Sequence, residues 1–178
     1  LPLQVDRWGD GDHSIVLLHG FGANSFEWRG WVTSLAQDHK VWAVDLKGHG
    51  SAPAPQDGHY SPHDHAELVH RFIVQEDVRQ LTLIGHSMGG GIALLVALRL
   101  LSEGRLERLV LVAGAAYPQP LPPFVKLARM GRLTKWVLAI TLKRWLIRQI
   151  IRSITYDPAK VRAAQVEAYA KPLRSAAH

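Results

Sequence analysis

The stretch "IGHSMGG", residues 84–90, decides how the rest of the chain is read. It follows "LTL" (81–83), so an apolar run leads straight into a serine boxed by glycines. Residues 85–89 fit G-x-S-x-G, in which a buried strand turns sharply into a helix with the serine at the apex. Gly85 and Gly89 leave room where side chains would clash, and Ser87 is expected in a strained backbone conformation. Such a turn lifts the hydroxyl above the carboxyl edge of a sheet, where open α/β folds bind ligands. The helix N-terminus beneath it favours a developing anion. Ser87 is therefore the candidate nucleophile. A serine cap on a helix packed through glycines is the plainer alternative, but a cap needs no glycine on both sides.

Working outward, "SIVLLHG" (14–20), "HKVWAVD" (39–45), "LTLIG" (81–85) and "LERLVLVAG" (106–114) read as four strands. Their near-continuous hydrophobicity suits a parallel sheet covered on both faces. Helices are expected over Phe26–Ala36, Pro62–Gln75 and Ser87–Ser102. The second carries its start signals openly: Ser61 as cap, Pro62 at the first helical position and Asp64 three residues after the cap. Strand–helix alternation of this kind builds βαβ units. Residues 81–98 hold no charged side chain over a length that could cross a bilayer, but Gly85, His86, Ser87 and the glycines at 89–91 break the run into strand and helix. After Tyr117 the character changes. "YPQPLPPF" (117–124) packs four prolines into eight residues and marks a boundary. Beyond it only helical patterns follow, from Phe124 to Ile154 and from Pro158 to about Ala170. Residues 1–117 thus read as an α/β core and 118–178 as a helical segment.

A second motif supports the first. "LLHGFG" (17–22) closes the first clear strand, where an acyl-transfer site needs a further backbone N–H to hold an oxyanion. The two donors would be the amides of Phe21 and of Met88, the residue after the serine.

"HGFG", "DLKGHGSA" (45–52) and "GHSMGG", in that order and on the ends of successive strands, resemble the α/β-hydrolase fold family, in its serine hydrolase branch. The resemblance implies a three-layer sandwich around a mostly parallel sheet, followed by a helical lid, which "YDPAKV" and "VEAYAKPLR" resemble. It implies a carboxylic-ester or related acyl hydrolase without a cofactor, acting on a small-molecule substrate. Serine at the nucleophile position, rather than aspartate, argues against the family's dehalogenases and epoxide hydrolases. Carbon–carbon hydrolases, haloperoxidases and acyltransferases share these motifs, and a non-catalytic, receptor-like ligand binder is a further alternative.

A serine hydroxyl becomes a useful nucleophile only when a histidine takes its proton and a carboxylate orients that histidine. In the family these follow the serine in the order acid, then histidine. After Ser87 the acids here are Glu103, Glu107, Asp157 and Glu167, and the histidine is His178. Glu103 and Glu107 belong to the wrong end of the fourth strand. The expectation is a fragment that stops inside the lid, inactive by itself. His86 adjoins the serine, but neighbours in so tight a turn point apart, so a structural role is expected. His19, beside Gly20, and His49 are expected to bond backbone, and Asp45 to tie the "KGHG" loop through backbone amides.

Composition limits the remaining readings. The 178 residues are 47% hydrophobic and 20% charged, a globular balance. The absence of cysteine excludes a disulfide framework and thiolate metal sites and fits a cytoplasmic setting, as does the lack of a visible signal peptide. "HYSPHDH" (59–65) invites a metal, but its residues open a helix and point several ways, so none is expected. The net charge of +6 is concentrated: between Arg108 and Tyr156 there are nine bases and no acid. "WVLAITLKRWLIRQIIRSI" (136–154) could lie on an anionic membrane, but a lid helix with solvated bases is the favoured reading. Without a stacking platform or known module, nucleic acid is not an expected partner.

Overall fold

The computed structural model describes residues 1–115 and 144–175. The chain divides into two compact units, Leu1–Tyr117 and Pro118–His178. Among the described residues of the first, β1 (Gln4–Trp8), β2 (Ser14–Leu18), β3 (Lys40–Asp45), β4 (Leu81–His86) and β5 (Leu106–Val112) form one sheet in the order β1-β3-β2-β4-β5. β1 runs antiparallel to β3, and every other pair is parallel. The sheet therefore has five strands, one more than the hydrophobic runs suggest. β1, "QVDRW", is largely exposed and carries Asp6 and Arg7, and it is held by backbone pairing from Gln4↔Asp45 to Trp8↔Val41. A charged edge strand is what protects a sheet from pairing with other chains, and it hides the strand from a hydrophobicity reading.

Alternation along β2 sorts the core. Val16 and Leu18 face a cluster with Val69, Phe72 and Ile73 of α2 (Pro62–Gln75) and Ile92, Val96 and Leu100 of α3 (Met88–Ser102). Ile15 and Leu17 face the other way, toward Trp28 and Val32. All five residues of β2 are buried, which is why its run of apolar residues is unbroken. Val32 lies on α1 (Arg29–Leu35), which is preceded by a separate 3₁₀ turn, Ser25–Trp28, capped by the Asn24 side chain. The single helix expected over Phe26–Ala36 is thus two pieces. α2 begins as its sequence signals require: Ser61 accepts from the Asp64 amide at 3.2 Å, and Asp64 accepts from the Ser61 amide at 2.8 Å.

The register fixes where the loops emerge. Leu18 pairs with Val44 and Gly85, and His86 with Val112, so the chain leaves β2, β3, β4 and β5 at one edge. A shallow concavity of about 530 Å³ lies away from that edge, lined by residues such as Asp12, Lys40 and Arg79 at the strands' amino ends. β5 is a sheet edge among the described residues, and it exposes Val110 and Leu111.

The second unit contributes α4 (Arg144–Ile154), a 3₁₀ turn (Pro158–Lys160) and α5 (Ala163–Ser175). Ile147 and Ile151 pack on Val161, Val166 and Ala170, and Arg144 pairs with Glu167 at 2.9 Å. The helix expected from Pro158 is interrupted at Val161, whose backbone is extended and whose side chain is buried in this cluster. The part of the longer expected helix between 124 and 143 lies outside the described residues, as does His178. Among the described residues no helix is long and apolar enough to cross a membrane.

Candidate active site

Ser87 stands alone between β4 and α3, with φ 49° and ψ −116°. This left-handed conformation costs a non-glycine residue about 1–3 kcal/mol and persists only where the surroundings impose it. They do so here through backbone bonds on both sides. The Ser87 amide donates to the Val112 carbonyl at 3.0 Å, and the Ser87 carbonyl accepts from Gly90 and from Ala115, each at 2.9 Å. The side chain makes no capping bond to α3, so the plainer role of a helix cap is not what it performs.

The glycines around it are required by contact. A Cβ on Gly89 would lie 2.4 Å from the Leu18 carbonyl oxygen and 2.5 Å from that of His19. The first turn of α3 therefore rests directly on the strand end that leads into "HGFG". A Cβ on Gly85 would meet the Gly89 carbonyl at 2.3 Å. The same closeness brings Ser87 beside Gly20: its Cβ is 3.4 Å from where a Gly20 Cβ would stand. Met88 opens α3, so its amide has no carbonyl within the helix to bond. Phe21 is 42% exposed at the rim of this edge.

The histidines are mostly committed elsewhere. His19 is fully buried; its Nδ1 donates to the Gly20 carbonyl at 2.8 Å and its Nε2 accepts from the Leu46 amide at 3.1 Å. Burial, with His49 adding to it, lowers its pKa to about 4. His49 bonds the Lys47 carbonyl at 3.1 Å, and its ring sits tilted against that of His19 and edge-on to that of His65, with ring centroids at 5.2 and 6.1 Å. Burial lowers its pKa, and burial with His49 and Lys47 brings that of His65 to about 4. His19 is engaged at both ring nitrogens and His49 at Nδ1, while the Nδ1 of His65 is buried without a hydrogen-bond partner among the described residues. Among the described residues no group of three or more metal-ligating side chains is poised for an ion.

These neutral histidines bear on stability. Their folded pKa values lie below the ordinary 6.5, so the unfolded chain takes up protons first as pH falls. The stability they lend is whole above pH 6.5 and is lost as pH falls from 6.5 toward about 4. The unfolding temperature followed by circular dichroism is expected to drop steeply across that interval. A flat profile would contradict the buried, neutral assignment.

Asp45, buried at the end of β3, accepts from the Ser25 amide at 2.6 Å and the Ser51 amide at 2.8 Å. One carboxylate thus ties the loop after β2 to the loop after β3. Lys47, also buried, reaches across the second loop to Asp57, with contacts of 2.6 and 2.7 Å, and to the His59 carbonyl at 2.9 Å. Glu103 and Glu107 pair with His70 and His13 and stay away from the serine.

One residue with no warning in the sequence is Glu27. Its Oε2 accepts from the Gly20 amide at 3.0 Å, and its Oε1 lies 2.5 Å from His86 Nδ1. His86 is thus not idle beside the serine but half of an ion pair. Nothing local marks Glu27, because its partners, Gly20 seven residues earlier and His86 at the end of β4, reach it only in the fold.

A model of the α/β-hydrolase fold family matches residues 13–136. The chain is 33% identical over 117 residues to an uncharacterized protein of Mycobacterium tuberculosis, covering 66% of this chain and 33% of that protein. It is 36% identical over 115 residues to the pimeloyl-[acyl-carrier protein] methyl ester esterase of Aeromonas hydrophila, covering 65% of this chain and 42% of the esterase. Cfl2 from Burkholderia cenocepacia superposes with a TM-score of 0.79 at 23% identity, over 95% of this chain and 61% of Cfl2. At that identity the likeness is one of fold. The matched stretch spans less than half the length of these two curated relatives. A match through more than half of the residues answers what three short motifs raise: the chain belongs to the α/β-hydrolase fold family.

Proposed function

We propose that this chain carries the nucleophile half of a serine hydrolase acting on a carboxylic ester or a related small acyl compound. Ser87 attacks the carbonyl carbon, and the amides of Phe21 and Met88 receive the oxyanion. The supporting observation is the strained Ser87 backbone at the strand-to-helix turn, with its hydroxyl spared from capping and Gly20 alongside. The esterase relative points the same way. His19 and His86 are bound to other partners, so the base and its carboxylate come from residues other than those described here. The lack of cysteine supports a cytoplasmic setting. In this reading the basic helices serve as lid rather than membrane anchor.

One observation favours a second reading. With His19 bonded at both ring nitrogens and His86 paired with Glu27, a site that shows no base beside the serine among the described residues suits a receptor-like homologue that binds a ligand without turning it over. Covalent capture of Ser87 by a fluorophosphonate separates the two, since a binding pocket without an activated serine is not phosphonylated.

A further inference from the structure

The loop after β2 and the end of β4 meet at the Glu27 carboxylate, through Gly20 seven residues before it and His86 far along the chain. One oxygen takes the Gly20 N–H at 3.0 Å, and the other contacts His86 Nδ1 at 2.5 Å. The His86 ring lies so close over Gly20 that a Cβ there would stand 3.0 Å from Nδ1. Gly20 immediately precedes Phe21, and His86 immediately precedes Ser87. Glu27 itself is set on a fixed base. Its 3₁₀ turn is capped by Asn24 and anchored by Trp28, which is 2% exposed.

We propose, resting on the acyl-hydrolase reading above, that Glu27 is a positioning residue: its carboxylate clasps the Gly20–Phe21 loop to the His86–Ser87 turn and so sets the spacing of the two N–H groups that hold the oxyanion. Oxyanion stabilisation depends on donors held in place before the charge develops, so a link between the two donor-bearing segments acts on the rate and not on substrate binding.

The pair also solves an electrostatic problem. A lone carboxylate bonded to the Gly20 amide, next to the Phe21 donor, would repel the charge forming there. His86 cancels it. Burial works against ionising Glu27, but the contacts to His86 and the Gly20 amide prevail and hold its pKa below the ordinary value. Glu27 in turn raises the pKa of His86, against the effect of burial. The other titratable neighbour of Glu27, His19, is buried and neutral. Both members are therefore charged between the ordinary values of 4.5 and 6.5. The pair is lost as pH rises through the raised pKa of His86, or falls through the lowered pKa of Glu27.

The test uses Glu27→Gln in the natural-length protein carrying this chain, with p-nitrophenyl acetate as substrate. Glutamine keeps the size and an acceptor for Gly20 but gives up the charge. The expected result is kcat lower by about 10- to 100-fold with KM within about threefold, a smaller loss than removing a donor outright. In the wild type kcat should decline as pH climbs through the His86 pKa, and that alkaline step should be absent in Glu27→Gln. NMR titration should show the His86 pKa falling in the variant, a readout that needs no turnover. A kcat within twofold of wild type, or a loss of kcat without movement of the His86 titration, would overturn the proposal. Should Glu27→Gln fail to fold, His86→Gln removes the cation while leaving the Gly20 bond; the same kcat loss is expected, and an unchanged kcat overturns the clasp. Ser87→Ala run in parallel keeps the two readings apart: if it retains full activity the nucleophile assignment fails, whatever Glu27→Gln does.

Discussion

Ser87→Ala is expected to lower kcat of the natural-length protein by on the order of a millionfold, because a serine nucleophile and its histidine act as a unit. The loss should fall on kcat, with substrate binding little changed, since the hydroxyl contributes to bond making and not to recognition. A residue of about a thousandfold over the uncatalysed rate is expected to survive, supplied by the oxyanion donors alone. The same position offers a control on structure. Ser87 holds φ 49°, which alanine must also adopt but glycine adopts without steric cost. Ser87→Gly should therefore be equally inactive yet more stable than Ser87→Ala by about 1 kcal/mol, read from chemical denaturation. Equal stability of the two variants would mean that the turn is not strained.

The second large effect concerns the fold beneath the site. Gly89→Val would drive a side chain into the carbonyl oxygens of Leu18 and His19, at 2.4 and 2.5 Å from the first added carbon. Both are backbone atoms of the central strand's end and cannot rotate away. α3 would have to lift from the sheet, exposing Ile92, Val96 and Leu100, all fully buried. A cost of about 4–5 kcal/mol or more is expected, enough to abolish cooperative unfolding in a domain of ordinary stability. Gly30→Ala makes the contrast. It lies in α1 with nothing within 4 Å of an added Cβ, so helix propensity alone should stabilise the chain by about 0.5–1 kcal/mol. If both substitutions were tolerated alike, the close approach of α3 to β2 would be disproved.

What the sequence discloses follows from what each residue's neighbours are. β2, β3 and β4 are legible because central strands buried on both faces leave continuous apolar runs. α2 is legible to the residue because Ser61, Pro62 and Asp64 carry its capping box locally. β1 is not, since Asp6 and Arg7 look like loop and only the pairing with β3 makes them strand. Asn24 hides a 3₁₀ turn inside what the apolar spacing presents as one helix. At the site, Ser87 is legible from the glycines that its turn demands. Asp45 is legible only in part: its bond to Ser51 belongs to the motif around it, whereas its bond to Ser25 joins another loop. Glu27 is invisible for the same reason, because His86 and Gly20 reach it only once the sheet has aligned the ends of β2 and β4.

The most direct test of Ser87 as an activated nucleophile is mass spectrometry of the natural-length protein after exposure to a fluorophosphonate probe. One adduct per chain is expected, mapped by fragmentation to Ser87 and absent from Ser87→Ala. A protein that binds ester ligands saturably but stays unmodified, or one labelled at another residue with Ser87 untouched, would contradict it.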